Sequence, residues 1–355
     1  MTLADQITGL CEEAITRHVF PGCVVGYIRN GRAELLTFGR VRYGEGPVVT
    51  EETMYDVASV TKSVVTASVA LKLVETGQLS LDDAVVKLVP ELENSYREEI
   101  LLRHLLTYTL VFDIKNGLAQ IAKTHPTRVF EELCAAPLAG RPGEIYHYTN
   151  APAIILTALM ERLTKKPLDA LAQEYFFKPL AMKRSTLRPE QFARSRYAPT
   201  EIDWRGEVQG VVHDEAAWAM YMNGQLAGDA GLFTTGGDLL KFCQMLLNGG
   251  RNWATRVLKP ETVAMMHTNQ IAALGESTAM GWELNWQLTM GDEISHQAFG
   301  KTGFTGCSVI IDPIRKGAMI HLSNRLYPHR PTSRDEINQF RRNLADIIFS
   351  NQAAT

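Results

Sequence analysis

Three short motifs stand in order along this chain: Ser59-Val60-Thr61-Lys62, Tyr148-Thr149-Asn150 and Lys301-Thr302-Gly303. Their residue types describe one chemistry. A serine hydroxyl is a poor nucleophile near neutral pH and needs a base within hydrogen-bond reach. Lys62 and Tyr148 are the bases on offer. Lys301, sharing a small and partly desolvated site, acts on both. Like-charge repulsion and burial both favour the neutral form of a lysine, and the two cations favour a phenolate at Tyr148. Either group can take the serine proton, and the residues do not apportion the role between them.

The first motif carries weight only through its surroundings. The chain holds 13 Ser and 13 Lys in 355 residues, so about 0.5 accidental Ser-x-x-Lys matches are expected. Here, however, an apolar-periodic run without Gly or Pro follows from Val60 to Glu75 and stops at Gly77, which predicts a buried helix. Ser59 then sits at the helix N-terminus with Lys62 one turn later on the same face. The positive end of the helix dipole lies where negative charge develops during acyl transfer. For an isolated match a capping Ser with a solvated Lys is the simpler account; the two later motifs decide against it. Tyr148 falls on a loop just before a helix predicted to start near Ala151-Pro152. Its structural alternative is an aromatic anchor at that helix cap. Tyr146 competes for the role but lacks an Asn two positions on.

The elements that must position these residues read as follows. An amphipathic helix over 4–18 ends at Pro21-Gly22, and strands Cys23–Ile28 and Ala33–Phe38 flank an Asn30-Gly31 turn, a strong hairpin signal. Helical runs follow at 60–75, 151–163, 168–176 and 237–247. Strand patterns return at Met280–Leu288, Cys307–Asp312 and Gly317–Ser323, and a helix over about 333–350 closes the chain. The expected class is α+β: an antiparallel sheet built from both ends of the chain, flanked by helices, with a mostly helical region inserted. Residues 1–58 and 280–355 are assigned to the sheet region and 59–279 to the helical region, with the site in the cleft between them.

Composition excludes several other classes. A net charge of −3 gives no reason to expect a nucleic-acid surface or a basic membrane patch. No apolar run reaches the roughly 18 residues that span a bilayer, and the N-terminus has no signal-peptide pattern. Five scattered cysteines without Cys-x-x-Cys spacing read as reduced packing residues of a cytoplasmic protein. The nine histidines form no metal-binding spacing, so neither metal nor cofactor is expected. The implied partner is a small-molecule ester or amide.

Taken together, these segments resemble the serine β-lactamase and penicillin-binding-protein superfamily, in particular class C-like hydrolases of the family VIII carboxylesterase type. The likeness runs through Gly77-Gln78-Leu79-Ser80-Leu81-Asp82-Asp83, Val212-His213-Asp214-Glu215, Gly228-Asp229-Ala230-Gly231-Leu232-Phe233 and Leu322-Ser323-Asn324-Arg325. It implies Ser59 as the acylated nucleophile with Lys62 and Tyr148 exchanging protons. Asn150 would bond the acyl side, Lys301 would set a positive potential, and the N–H groups of Ser59 and Phe304 would form an oxyanion hole. Thr302, Gly303 and Phe304 would border the substrate. Three positions depart from the family pattern. Tyr108 and Leu110 alter a loop near the pocket. Phe304 replaces a small hydroxyl residue that binds the β-lactam carboxylate, and Asp229 stands where esterase-like relatives commonly carry His. The first two favour a less polar acyl substrate; Lys301 favours an anionic one. Trp204, Trp218 and Tyr221, in a variable loop region before Gly224, are candidates for an acyl pocket, and His213-Asp214 in the same region reads as a structural hydrogen-bonding pair. The expected activity is a carboxylesterase. The alternatives are a β-lactamase or D-amino-acid peptidase, an acyltransferase, a non-turnover sensor or an inert binder.

Overall fold

The structure, a computed structural model, describes residues 2–115 and 117–350. Six strands form one antiparallel sheet: β1 (Gly22–Arg29), β2 (Arg32–Gly39), β3 (Glu283–Leu284), β4 (Phe299–Thr302), β5 (Ser308–Asp312) and β6 (Gly317–Ser323). Their order is β2-β1-β6-β5-β4-β3. The β1–β2 hairpin turns through Asn30 at φ 52° and Gly31 at φ 73°, the pair of positive angles that matches the twist of the flanking strands. β1 then pairs with β6 from Cys23↔Ser323 to Ile28↔Ala318, which joins the two ends of the chain.

Alternation along the strands divides the core. Cys23, Val25 and Tyr27, with Ile310 and Met319, face helices α1 (Leu3–Thr16) and α6 (Asp335–Phe349). Val24 and Ile28, with Val309, Ile320 and Leu322, face the larger core shared with the helical region. That core includes α2, which opens as a wide π-turn over Lys62–Ala67 and continues over Ser68–Glu75, and α3 (Ala151–Thr164), α4 (Glu215–Met222) and α5 (Gly236–Leu247). α5 lies directly on the sheet: a Cβ at Gly236 would come within 2.8 Å of Val24 Cγ1.

Two expectations change. The strand predicted over Met280–Leu288 is reduced to Glu283–Leu284, followed by a short helix over Gln287–Met290. Gly281 at φ 78° and Asn285 at φ 39° break the extended backbone on either side. The segment before Gly224, read as loop, contains α4. Its N-cap Asp214 accepts the N–H groups of Ala216 and Ala217. Among the described residues no helix is long and apolar enough to cross a membrane.

Gly281 is where the sheet meets the nucleophile helix. A Cβ there would lie 2.2 Å from Ala67 Cβ, whereas at Gly275, φ 73°, it would meet open space. Gly275→Ala should therefore cost only the backbone strain, about 1 kcal/mol. Gly281→Ala should cost about 3 kcal/mol or more, because overpacking adds to the strain. Urea unfolding of the two variants checks the difference.

Candidate active site

Ser59 follows a strained turn. Tyr55–Asp56 pairs with Phe233–Thr234, and Ala58 then adopts φ 46°, costly for a residue with a Cβ and typical of functional turns. Asp56 holds the turn: its buried carboxylate accepts the N–H of Ala58 and the N–H of His213, each at 2.8 Å. Burial raises the Asp56 pKa to about 6, against the lowering by those two N–H groups. Helix α2 starts immediately after Ser59, as the sequence implied. Lys62 Nζ donates to Ser59 Oγ at 3.0 Å and to the backbone carbonyl of Asp229 at 2.7 Å, and the lysine is 2% exposed.

Tyr148 lies across this pair. Lys301 Nζ sits 3.8 Å from its ring centroid and Lys62 Nζ 5.5 Å, while the Tyr108 ring packs at 4.9 Å. Burial pushes the Tyr148 pKa up, but Lys301, Lys62 and the Ser59 hydroxyl outweigh it and the net shift is downward. Its Oη stops just short of a well-formed hydrogen bond to the Ser59 hydroxyl, so proton exchange with Ser59 needs only the slight tightening common on substrate binding. Tyr146 shifts the other way, raised mainly by burial. Lys301 donates to Glu283 Oε1 at 2.7 Å. Burial alone would lower its pKa; Glu283 and the neighbouring tyrosines reverse that and hold it raised.

A cavity of about 320 Å³ opens onto these groups, lined by Ser59, Tyr148, Asn150, Thr302, Gly303 and Phe304 among others. Among the described residues no group accepts a hydrogen bond from the backbone N–H of Ser59 or of Phe304, which leaves two donors for a developing oxyanion. Asn150 Nδ2 donates to Asp214 Oδ2 at 3.1 Å, fixing the amide. Gly303 is obligatory, because a Cβ would lie 2.3 Å from the Val57 carbonyl. No group of three or more potential metal-ligating side chains occurs among the described residues.

The Beta-lactamase family model matches residues 7–343. The chain belongs to the Beta-lactamase family. A protein of Salmonella enteritidis PT4, provisionally named a D-alanyl-D-alanine carboxypeptidase, is 29% identical over 322 residues, which span 81% of this chain and 73% of that protein. Among solved structures, EstCE1, described as a hydrolase with promiscuous acyltransferase activity, superposes with TM-score 0.77 at 19% identity over 98% of both chains. Unliganded simvastatin synthase from Aspergillus terreus gives 0.76 at 19% identity over 99% of each. The octameric penicillin-binding protein homologue of Pyrococcus abyssi gives 0.69 at 22% identity over 90% of this chain and 73% of its own. At these identities the structural likenesses establish the fold of a Beta-lactamase-family serine hydrolase.

Within that fold the three motifs converge, but some assignments change. The charge of Lys301 is matched by Glu283, so the unpaired positive charge of the cavity belongs instead to Arg325, Arg334 and Arg341, none of which meets a carboxylate within ion-pair distance among the described residues. Burial, then mutual repulsion, lowers Arg341 to about 9 and Arg325 to about 10. Phe304 turns its ring to Arg325, Arg330 and Arg334, 4.9–5.4 Å from their guanidinium carbons. His213 and Asp214 do not bond each other: His213 Nδ1 meets Thr200 Oγ1 at 3.1 Å, while Asp214 caps α4. Burial, then Arg330 and Arg205, push His213 down to about 3, so it stays neutral. Trp204 and Trp218 meet edge to face at 5.2 Å and both receive the Arg205 guanidinium, outside the cavity lining. Sequence reasoning missed Glu283 and Arg334, for which no spacing signal exists. Asp214 was legible as a cap before the apolar run of α4.

Asp214→Ala should cost about 1 kcal/mol of stability through the lost cap. It should also lower kcat/KM by about tenfold as the Asn150 amide loses its orientation. Urea unfolding and steady-state kinetics on the same preparation read both effects.

Proposed function

We propose that the protein is a serine hydrolase that forms an acyl-enzyme on Ser59 and acts as a carboxylesterase on small to medium acyl esters. The carrying observation is the 3.0 Å hydrogen bond from Lys62 Nζ to Ser59 Oγ at the floor of a cavity that also presents the N–H groups of Ser59 and Phe304. Ser59 Oγ attacks the ester carbonyl as its proton passes to Lys62 or Tyr148. The carbonyl oxygen gains negative charge between the two N–H groups. The same proton then reaches the departing alkoxide, and the C–O bond breaks. Water enters by the reverse of that proton path and releases the acid.

The acyl size follows from a second chamber of about 370 Å³ that shares Asn150 and Asp214 with the first. Phe112, Ile114 and Leu118 give it an apolar wall, suited to a short aliphatic chain. Asn150, fixed by Asp214, stands at the junction to orient the acyl group.

A second reading is favoured by one observation, the unmatched arginines Arg325, Arg334 and Arg341. They suit a leaving group with a carboxylate, as a peptide ending in a D-amino acid would supply. The name of the Salmonella relative is consistent with it.

Hydrolysis of p-nitrophenyl butyrate should fall at least about 1000-fold in Ser59→Ala; equal rates would place the chemistry elsewhere. Release of D-alanine from a D-alanyl-D-alanine peptide faster than ester turnover would favour the second reading. A stable acyl adduct by intact mass without turnover would instead identify a sensor. Filling the chamber with Leu118→Trp should cut the preference for butyrate over acetate about tenfold, the worth of two buried methylenes.

A further inference from the structure

Asp229 is the exceptional acid of this fold. Six acidic residues are buried among those described, and five have donors. Asp56 accepts two backbone N–H groups, and Glu201 and Glu215 pair with Arg330. Asp238 accepts the Arg184 N–H and Lys241, and Asp312 accepts the N–H and hydroxyl of Ser295. Asp229 is 0% exposed, and neither of its carboxylate oxygens has a hydrogen-bond partner. Buried carboxylates are ordinarily satisfied, because an unpaired one is expensive. Its own backbone carbonyl nevertheless accepts the ammonium of Lys62 at 2.7 Å.

The charged groups facing this carboxyl are Asp214, from the head of α4, and Lys62, from α2. At the preceding residue, Gly228, α2 offers only the Thr66 hydroxyl, which donates to the Gly228 carbonyl, and α3 only Thr157. Burial first, then Asp214, drive the Asp229 carboxyl toward its neutral form, against Lys62 and the nearby backbone N–H groups of Asp229 and Ala230; it titrates at about 7.

We propose that Asp229 is a positioning residue for the Ser59–Lys62 pair, its carboxyl group setting by its charge how readily the catalytic base gives up its proton. The proposal rests on the reading of Ser59, Lys62 and Tyr148 given above. Its sign does not depend on which of the two is the base. A Lys62 amine and a Tyr148 phenolate are both formed by loss of a proton, and a nearby negative charge opposes that loss in either case. An ionised Asp229 therefore holds the base protonated to higher pH, and a neutral one releases it.

The test compares kcat/KM for p-nitrophenyl butyrate across pH in the wild type and in Asp229→Asn, with Ser59→Ala as control. The limb on which kcat/KM rises with pH should move to lower pH in Asp229→Asn, by on the order of one unit. An unmoved limb, even with a lower plateau, would overturn the proposal, since a merely structural role changes rate without moving the limb. Stability supplies a readout independent of catalysis. Asp229 has an ordinary value of 3.8 and titrates at about 7 in the fold, so between those values the folded chain holds a proton that the unfolded chain has lost. Wild-type stability therefore falls as pH rises through this window. Asp229→Asn should gain on the wild type from pH 4 to 7 and hold that gain above; a difference constant with pH would refute the ionisation. Turnover surviving in Ser59→Ala would sink the nucleophile reading while leaving the stability result to judge Asp229. Should Asp229→Asn fail to fold, Asp229→Ser reads the same two quantities.

Discussion

The site depends on holding two lysine side chains in a dry space around one phenol ring. Lys301 and Lys62 stand 3.8 Å and 5.5 Å from the Tyr148 ring centroid, and both are buried. Desolvating a cation costs several kcal/mol unless something compensates it. The two lysines are compensated differently. Lys301 has a full counter-charge in Glu283 at 2.7 Å. Lys62 has only neutral acceptors, the Ser59 hydroxyl and the Asp229 carbonyl. A lysine held by a carboxylate is a fixed cation; one held by neutral oxygens can exchange a proton without breaking an ion pair. The asymmetry lies in the partners, a carboxylate for Lys301 and neutral oxygens for Lys62, although the two side chains are alike.

The fold serves this arrangement by fixing backbone rather than by adding side-chain contacts. Ser59 is placed by the Asp56 bonds to Ala58 and His213, and by Thr305, whose hydroxyl donates to the Asp56 carbonyl at 2.7 Å. The Lys301 strand is brought against that turn by Gly303, which only a residue without a Cβ can occupy. Arg341, from the last helix, donates to the carbonyls of Gly303 and Cys307 and ties α6 to the same loop. The Ser59 and Lys301 segments, about two hundred and forty residues apart, thus meet through bonds to the main chain, which leave little room for the site to loosen.

The sequence made the fold class legible because both of its signals are local or repeated. The Asn30-Gly31 turn and the alternation of Cys23–Ile28 needed no tertiary information, and they match β1 and β2 to within a residue at each end. Strand β3 failed because its limits are tertiary: Gly281 is pressed against Ala67, a contact no window of sequence contains. The site divides the same way. Ser59, Lys62 and Tyr148 belong to motifs with fixed spacing, and the structure brings them together. Glu283 and the arginines act through distances set by folding, so their meaning appeared only once Lys301 was seen to be paired. Asp229 was visible as an anomaly, an acid where His is usual, but its consequence required knowing that it is fully buried without a well-formed hydrogen bond.

Phe304 shows how a departure from a family pattern can change sign once its neighbours are placed. From sequence it removes a hydroxyl donor and so argues against an anionic substrate. In the fold its ring receives Arg325, Arg330 and Arg334 on its surface, an arrangement stabilised by the ring quadrupole. Arg330 is already matched by Glu201 and Glu215, whereas Arg325 and Arg334 are not paired with acids among the described residues. The ring therefore collects unmatched cations at the cavity wall. Lys301, expected to attract an anion, is spent on Glu283 and cannot. Separating the two functions has a physical advantage. Because the Lys301–Glu283 pair is complete in itself, the downward pull of Lys301 on the Tyr148 proton does not depend on what the arginines hold.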